Sequence, residues 1–519
     1  GLIVRDYGLK LKWKKNWVSN QRRKKDSLGQ EKIGRLNDLG FDWDPLKTDW
    51  EEDYSYLKKY FEANGHSRVP VRHKTEDGFK LGKWVSYRRN NKDSLSKERI
   101  DRLNDLGFIW DPLETSWEEG FSHLEKFYKS NVPIELIGSG SKRKIGKPLQ
   151  CSKTLNLSKL NGIIEYLPEE LYIKVKAGTS IKAIEQELKK NNQQLVFEPI
   201  DFGYFLNGKS DYGTAAGQVA CNISGSRRFK VGSIRDHVLG FRGVNGRGEI
   251  IKSGGVVVKN VTGYDLSKLI CGSYGTLVAL TEITFKVLPL PEESKTLVIN
   301  NQKIEKAVHF LDKSISSSND ISGAVFFPDK PMISGSSMNI ENTFKLNDLK
   351  QEGSITAIRI EGSKNSIDHR IENLINELQI INLNISILEV HQSEVFWNKV
   401  KALEFFSNSK NSIIRIVIPP SECVNLIYQF SSKFKYYLDW GGALMWLEVF
   451  ELSEEMFESI RKKVVRLGGY VTMIKNSDYL PYVEDVFTIN RDRFNISQNI
   501  KKSFDPKRIL NPGKMYTGI

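Results

Sequence analysis

Two runs of small residues carry the strongest chemical signal in this chain of 519 residues. The first, GSGSKRKIG at 138–146, sets Gly138 and Gly140 beside Ser139 and Ser141, with Lys142 and Arg143 next in line. A glycine removes a Cβ where the chain turns sharply, so several backbone N–H groups of such a loop can face one anion, and the two cations add charge. The second run lies within 213–289, where Gly213, Gly217, Gly225, Gly232 and Gly240 interrupt short apolar stretches. Something must approach this backbone closely, and phosphate oxygens are what successive N–H groups bind. The other reactive side chains are dispersed. His66, His73, His123, His237, His309, His369 and His391 form no H-x-H pair, and His237 reads as a histidine satisfied within the fold. Cys151, Cys221, Cys271 and Cys423 stand far apart, with no C-x-x-C and no cluster suited to zinc or an iron–sulfur centre.

The second run continues in a longer pattern. It reads G-T-x-x-G-x-V-A-x-x-x-S-G, then R-D-x-V-L-G, then K-N-V-x-G-Y-D-L-x-K-L-x-x-G-S-x-G-T-L. This resembles the FAD-binding subunit of bacterial glycolate oxidase, with a flavin domain of the vanillyl-alcohol-oxidase or PCMH type, from about Ile134 to Ile519. The family's second phosphate-loop glycine pair is Ala216-Gly217 here. The resemblance implies non-covalent FAD, with its pyrophosphate held by two loops. The first is Gly138, Ser139, Gly140, Ser141 and Lys142; the second supplies Gly213, Thr214, Gly217, Val219, Asn222, Ser224 and Gly225. It further implies that Asp236, Tyr264, Gly272, Gly275 and Thr276 contact the cofactor, and that Lys259, Asn260 and Asp265 lie along the isoalloxazine side. Covalent attachment in this fold class uses a histidine or cysteine, and GSGSKRKIG has neither.

Simple elements must position these loops. Pro133 to Ile137 reads as a strand feeding the first loop. TLNLSKLNGIIEY and LYIKVK read as strands, followed by an amphipathic helix with Ile181, Ile184 and Leu188 on one side. After Pro291 strands and helices alternate: ITAIRIEG, ISILEV, SIIRIVI, ALMWLEVF and GYVTMIK are interleaved with helices bearing Ile371–Leu378, Phe396–Leu403 and Phe457–Leu467. That alternation predicts an antiparallel sheet covered by helices on one face, the α+β cap that the resemblance also implies. The tail FDPKRILNPGKMY is expected to return to the flavin domain, with Pro506 and Pro512 bounding a short helix.

Residues 1–130 are a duplication. Trp17 and Trp84, Trp43 and Trp110, and Trp50 and Trp117 pair at a constant spacing, and RLNDLGF-x-WDP recurs at 35–45 and 102–112. Each copy reads as three helices: a basic one with Trp17 or Trp84, a short one ending at Gly40 or Gly107, and a third. The third carries an apolar stripe of helical period, Trp50, Tyr54, Leu57 and Phe61, repeated as Trp117, Phe121, Leu124 and Tyr128. These copies look like the helicase-associated repeat. The family's extra strand and helix before the first phosphate loop are missing, and the helix at 117–129 is the candidate for that helix's place.

The expected architecture is multidomain. All-α helical repeats at 1–64 and 65–130 precede a PCMH-type flavin domain at 131–290, a cap at 291–495, and a C-terminal segment at 496–519. The net charge is +14, which permits an anionic partner without requiring one. No run of about 18 apolar residues occurs and the start has no signal-peptide pattern, so a cytoplasmic protein, peripheral at the inner membrane face, is expected. The favoured function is an FAD-dependent oxidoreductase subunit serving glycolate or a related 2-hydroxy acid, beside a catalytic flavoprotein subunit and an iron–sulfur subunit. The absence of a histidine pair argues against independent substrate oxidation. The alternative is a nucleic-acid-binding repeat joined to a degenerate flavin domain, with Arg22, Arg23, Lys24, Lys25, Arg88 and Arg89 facing phosphate.

Overall fold

The computed structural model describes residues 25, 28–38, 41, 45–67, 69, 73–110, 129–149, 151–207, 213–256, 263–329, 353–407, 409–430, 434–477 and 486–519. They belong to two compact units divided between Glu118 and Glu119.

In the first unit the helices Pro45–Asn64, Leu81–Asn90 and Lys97–Asp105 enclose Trp50, Leu57, Leu81, Trp84, Val85, Leu103 and Phe108. This cluster joins the third helix of the first copy to the first two of the second, because a repeat's apolar stripe is buried by its neighbour. Ser96 caps the last helix by accepting from the Arg99 N–H. Gly107 ends it at φ +60°, with Phe108 N donating to Leu103 O, the left-handed stop that favours glycine there. The expected basic helix at 10–25 lies outside the described residues except Lys25, and that at 117–129 outside them except Lys129.

Among the described residues the second unit holds seventeen strands. The first nine are β1 (Ile134–Ile137), β2 (Lys153–Asn156), β3 (Ile163–Leu167), β4 (Tyr172–Lys176), β5 (Gln193–Gln194), β6 (Val238–Asn245), β7 (Ile250–Gly254), β8 (Val278–Lys286) and β9 (Leu288–Pro289). Strands β1 and β2 pair in parallel, β5 pairs with β9, and an antiparallel sheet runs β3-β4-β8-β6-β7. Helix Ile181–Lys189 lays Ile181, Ile184 and Leu188 into the core of this sheet, together with Val219 from helix Ala215–Cys221.

The remaining strands are β10 (Glu293–Asn300), β11 (Ile321–Phe327), β12 (Ile355–Gly362), β13 (Ile385–Leu388), β14 (Ser412–Val417), β15 (Phe434–Asp439), β16 (Leu444–Val449) and β17 (Tyr470–Lys475). They make one antiparallel sheet in the order β13-β10-β12-β11-β15-β16-β14-β17. Helices Ile304–Ile315, Lys364–Leu378, Pro420–Tyr428 and Glu454–Arg466 cover one face. The expectation of helices on one face alone needs correction. Phe396, Trp397 and Val400 of helix Val390–Lys401 pack on the other face, and so do Ile145, Ile200, Phe202 and Ile223 of the flavin domain. Strands such as ISGAVFF, buried at every position, are near-continuous apolar runs, which is how a strand covered on both faces reads.

A buried ionic network ties that second face to the flavin domain. Arg227 forks onto Glu361 at 2.9 and 2.5 Å and reaches Glu198 at 3.1 Å, while Arg359 meets Glu198 at 2.8 Å. Burial opposes ionisation of Glu198 and Glu361, yet Arg227 and Arg359 hold both below the ordinary carboxylate range. Two neutral contacts lie beside the network: Ser226 Oγ donates to Asp439 at 2.8 Å, and Trp440 Nε1 to Gly225 O at 3.0 Å.

The tail also departs from expectation. The helix Arg491–Phe504 stops at Asp505, and no helix forms between Pro506 and Pro512. The Asp505 carboxylate accepts the N–H groups of Ile509 and Leu510 and the Lys501 ammonium, closing a turn through Arg508 at φ +53°. The residues after it run beside β1: Ile134 N donates to Ile509 O, and Asn511 N to Ile134 O.

Candidate functional site

The first loop leaves β1 at Ile137 and the second opens into the helix Ala215–Cys221, and the two close on each other. Thr214 caps that helix by accepting from Gly217 N–H at 3.3 Å. A Cβ on Gly138 would stand 2.4 Å from Thr214 Oγ1, so the loops touch only because residue 138 is glycine. Between them lies a cavity of about 90 Å³ lined by residues 135–143, Thr214, Gly217, Ala220, Cys221, Tyr274, Asn511 and Lys514. Gly140, at φ +81°, has no protein atom within 4 Å of where a Cβ would be. That position combines a backbone L side chains avoid with open space, which suits close approach of a ligand.

Lys142 is the feature that defines the cavity. Its ammonium is buried and, among the described residues, has no hydrogen-bond partner. Cβ atoms placed on Gly213 and Gly217 would lie 3.9 and 4.0 Å from its Nζ. Burial pulls its pKa down, opposed by Cys221 and Asp201. Arg143, by contrast, is neutralised by a two-point contact with Glu135 at 2.8 and 2.6 Å. A buried unpaired cation between two loops of small residues is the expected donor set for a pyrophosphate. The site therefore fits the phosphates of a dinucleotide such as FAD.

The C-terminal tail completes the site. Lys514 Nζ donates to Arg143 O at 2.8 Å, and its own carbonyl accepts from Lys147 N, so it clasps the first loop from outside. Burial lowers its pKa too. Asn511 accepts from Leu136 N at 2.6 Å and donates to Tyr274 O at 2.8 Å, tying β1 to the turn that carries Tyr274. Glu135, Cys221, Tyr274, Asn511 and Lys514 escaped the reading of the sequence. For Asn511 and Lys514 the NPGK run of the tail was the one legible signal, because adjacent proline and glycine mark a shaped segment.

The structure brings Gly138, Ser139, Gly140, Ser141, Lys142, Thr214 and Gly217 around one cavity, with Gly213 against Lys142. The other expected residues lie elsewhere. Val219 is core. Asn222 Oδ1 accepts from Arg235 N, and Ser224 Oγ from Ile234 N. Gly225 is packed so that a Cβ would meet Glu198 Cβ at 2.7 Å. Asp236 caps Ser233, and Thr276 bonds Ser273 O. Gly272 and Gly275 adopt φ of +83° and +71° beside Asn222 and Asn511. Tyr264 is 93% exposed, and Asp265 caps the helix Leu266–Ile270 and pairs with Lys268. Lys259 and Asn260 lie outside the described residues. His237 bonds Val231 O at 2.9 Å, and burial lowers its pKa.

Comparisons with known proteins agree with this geometry. A family model described as a FAD binding domain matches residues 115–254, and one described as a helicase associated domain matches 47–111. Glycolate oxidase subunit GlcE of Escherichia coli is 31% identical over 392 residues, covering 75% of this chain and 94% of that protein. Glycolate oxidase subunit GlcD of Bacillus subtilis is 27% identical, over 74% of this chain and 84% of its own. A D-lactate dehydrogenase of Archaeoglobus fulgidus is 24% identical, over 78% and 90%. Among solved structures, 4-ethylphenol oxidase from Gulosibacter chungangensis aligns with a TM-score of 0.57 at 14% identity, covering 76% of this chain and 87% of that one. An alkyldihydroxyacetonephosphate synthase aligns at 0.55 and 17%, over 76% and 74%. These two similarities establish a shared mixed α/β fold.

Proposed function

The chain belongs to the family of FAD-linked glycolate oxidase subunits, and from that premise we propose that it binds FAD non-covalently between its two glycine-rich loops. In this reading it serves the oxidation of glycolate or a related 2-hydroxy acid. The observation that carries the placement is the buried Lys142 ammonium, unpaired and set against Gly213 and Gly217.

Lys142 would donate to the pyrophosphate and Gly140 would leave room for it, while Lys514 and Asn511 hold the first loop and β1 in register. FAD, when bound, would supply the redox chemistry for oxidising a 2-hydroxy acid to a 2-oxo acid. The chain's own contribution is to orient the cofactor and exclude water, with the cap docked through Arg227, Arg359, Glu198 and Glu361.

The relatives GlcE and GlcD are named as subunits, which supports partner subunits; in this reading the partners are a catalytic flavoprotein subunit and an iron–sulfur subunit. Among the described residues no helix is long and apolar enough to cross a membrane. A cytoplasmic protein, peripheral at the inner face of the membrane, agrees with this. The nucleic-acid reading is not favoured. The Arg88 guanidinium lies 5.0 and 5.2 Å over the rings of Trp50 and Trp84, and Arg89 Nε donates to Ile109 O at 2.8 Å. Both are thus engaged within the helical unit. Arg22, Arg23 and Lys24 lie outside the described residues.

The test is absorption of the purified protein, followed by a pull-down assayed for glycolate-dependent dye reduction. A flavin spectrum, recovered oxidoreductase subunits and dye reduction are expected. Recovery of nucleic acid alone, without flavin or dye reduction, would overturn the reading.

A further inference from the structure

We propose that Arg415 of the cap and Arg228 of the flavin domain form a binding site for the carboxylate group of a small 2-hydroxy or 2-oxo acid. The acid's identity rests on the function proposed above; the anion site rests on its own residues.

Arg415 sits on β14, whose Ile414 and Ile416 enter the helix-covered core while Ile413 enters the core shared with the flavin domain. Alternation along the strand sends Arg415 to the same side as Ile413. That face carries other charged groups, and each is satisfied. Arg359 and Glu361 belong to the ionic network, Lys435 donates to Phe405 O, and Glu448 accepts from Ser409 and Asn411. Arg415 is the exception. It is 8% exposed; Tyr470 hydrogen-bonds its side chain, but among the described residues its Nε has no hydrogen-bond partner and no carboxylate forms an ion pair with it.

Its surroundings concentrate positive charge rather than cancel it. The guanidinium lies 5.0 Å from the Trp440 ring centroid and 6.0 Å from that of Trp446. Arg228 lies 4.9 Å over the same Trp440 ring, near enough for the two cations to oppose each other. Arg228 also lacks an acidic partner among the described residues, although the adjacent Arg227 has two. Trp440 is fixed by its bond to Gly225 O, so the platform beneath both cations is rigid. Burying like charges without an anion is strongly unfavourable, and a bound anion offsets that cost.

The position and chemistry select the anion. On one side the Arg415 charge reaches the buried phenol of Tyr274, which lines the FAD cavity; on the other it reaches Tyr470, which is 40% exposed. The pair therefore stands between solvent and the cofactor space. A guanidinium presents parallel N–H groups that match the two oxygens of a carboxylate. A carboxylate bears one charge, so burying it costs less than burying a phosphate of higher charge.

The test uses the full chain as purified, with flavin content recorded, and titrates oxalate and glycolate by calorimetry, with inorganic phosphate as the competing anion. Saturable carboxylate binding to the wild type is expected, with phosphate at least tenfold weaker. Arg415→Met and Arg228→Met should each weaken oxalate at least tenfold at unchanged flavin-to-protein ratio, and Arg415→Lys should recover part of the loss. The half-buried Arg228 provides the readout if Arg415→Met does not fold. No saturable carboxylate binding, phosphate binding as tightly as oxalate, or full oxalate affinity in a folded variant would each refute the site. A protein without flavin that still binds oxalate through these arginines would refute the cofactor reading and leave the anion site standing.

Discussion

Replacing Lys142 by methionine should move two properties in opposite directions. In the free protein this ammonium is buried between the loops with no hydrogen-bond partner among the described residues, so folding desolvates it with little in return. Methionine keeps the length of the stem and removes the charge. Substituting buried ionic groups with apolar ones of similar volume is commonly stabilising by about 1–4 kcal/mol, and the flavin-free variant should unfold at a higher denaturant concentration. For FAD the sign reverses. A hydrogen bond to a charged group contributes roughly 1.5–3 kcal/mol, so the dissociation constant should rise about 10- to 100-fold. The pH dependence gives a second reading. Burial lowers the folded-state pKa of Lys142, so above that pKa the unfolded chain binds more protons. Stability of the free wild type should then rise with pH until the unfolded lysine titrates near about 10.4. Lys514, lowered by burial as well, adds the same sign in both proteins, so the difference between their slopes reports Lys142. The assays are denaturant unfolding of the apoprotein from pH 7 to 10 and fluorescence titration with FAD. A variant that is less stable when free, yet binds FAD as tightly as wild type, would show that Lys142 supports the fold and not the cofactor.

Three further outcomes follow from the geometry. Gly140→Val should abolish flavin binding and cost the free protein about 1–2 kcal/mol through its left-handed backbone; stoichiometric flavin in the purified variant would move the phosphate loop elsewhere. Gly225→Val should instead destabilise the whole unit, since a Cβ there meets Glu198, and scanning calorimetry should show the loss with or without FAD. Burial raises the Asp439 carboxyl to about 7, so the folded state binds more protons than the unfolded one between about pH 4 and 7. Stability should fall as pH rises through that window, and Asp439→Asn should flatten this part of the profile; an unchanged slope in the variant would remove Asp439 as its source.

Much of this protein was readable from residue types alone. The glycines and serines of 138–146 and 213–217 pointed to two loops that meet at one cavity, because only small residues allow backbone N–H groups to converge and two loops to touch. The helix with Ile181, Ile184 and Leu188, and the stop at Gly107, followed from local periodicity and backbone freedom. What local pattern could not decide was which side chains the fold had already engaged. Asn222, Ser224 and Asp236 sit in a motif that resembles a cofactor loop, yet each bonds a nearby backbone N–H. Arg227 and Arg228 are neighbours in sequence; one enters a buried network with Glu198 and Glu361, and the other stacks on Trp440 without an acid. Lys142 and Lys514 meet at one loop although they are hundreds of residues apart, because the tail turns at Asp505 and pairs with β1. Pairing of charges across such separations depends on how sheets dock, and only the tertiary structure settles it.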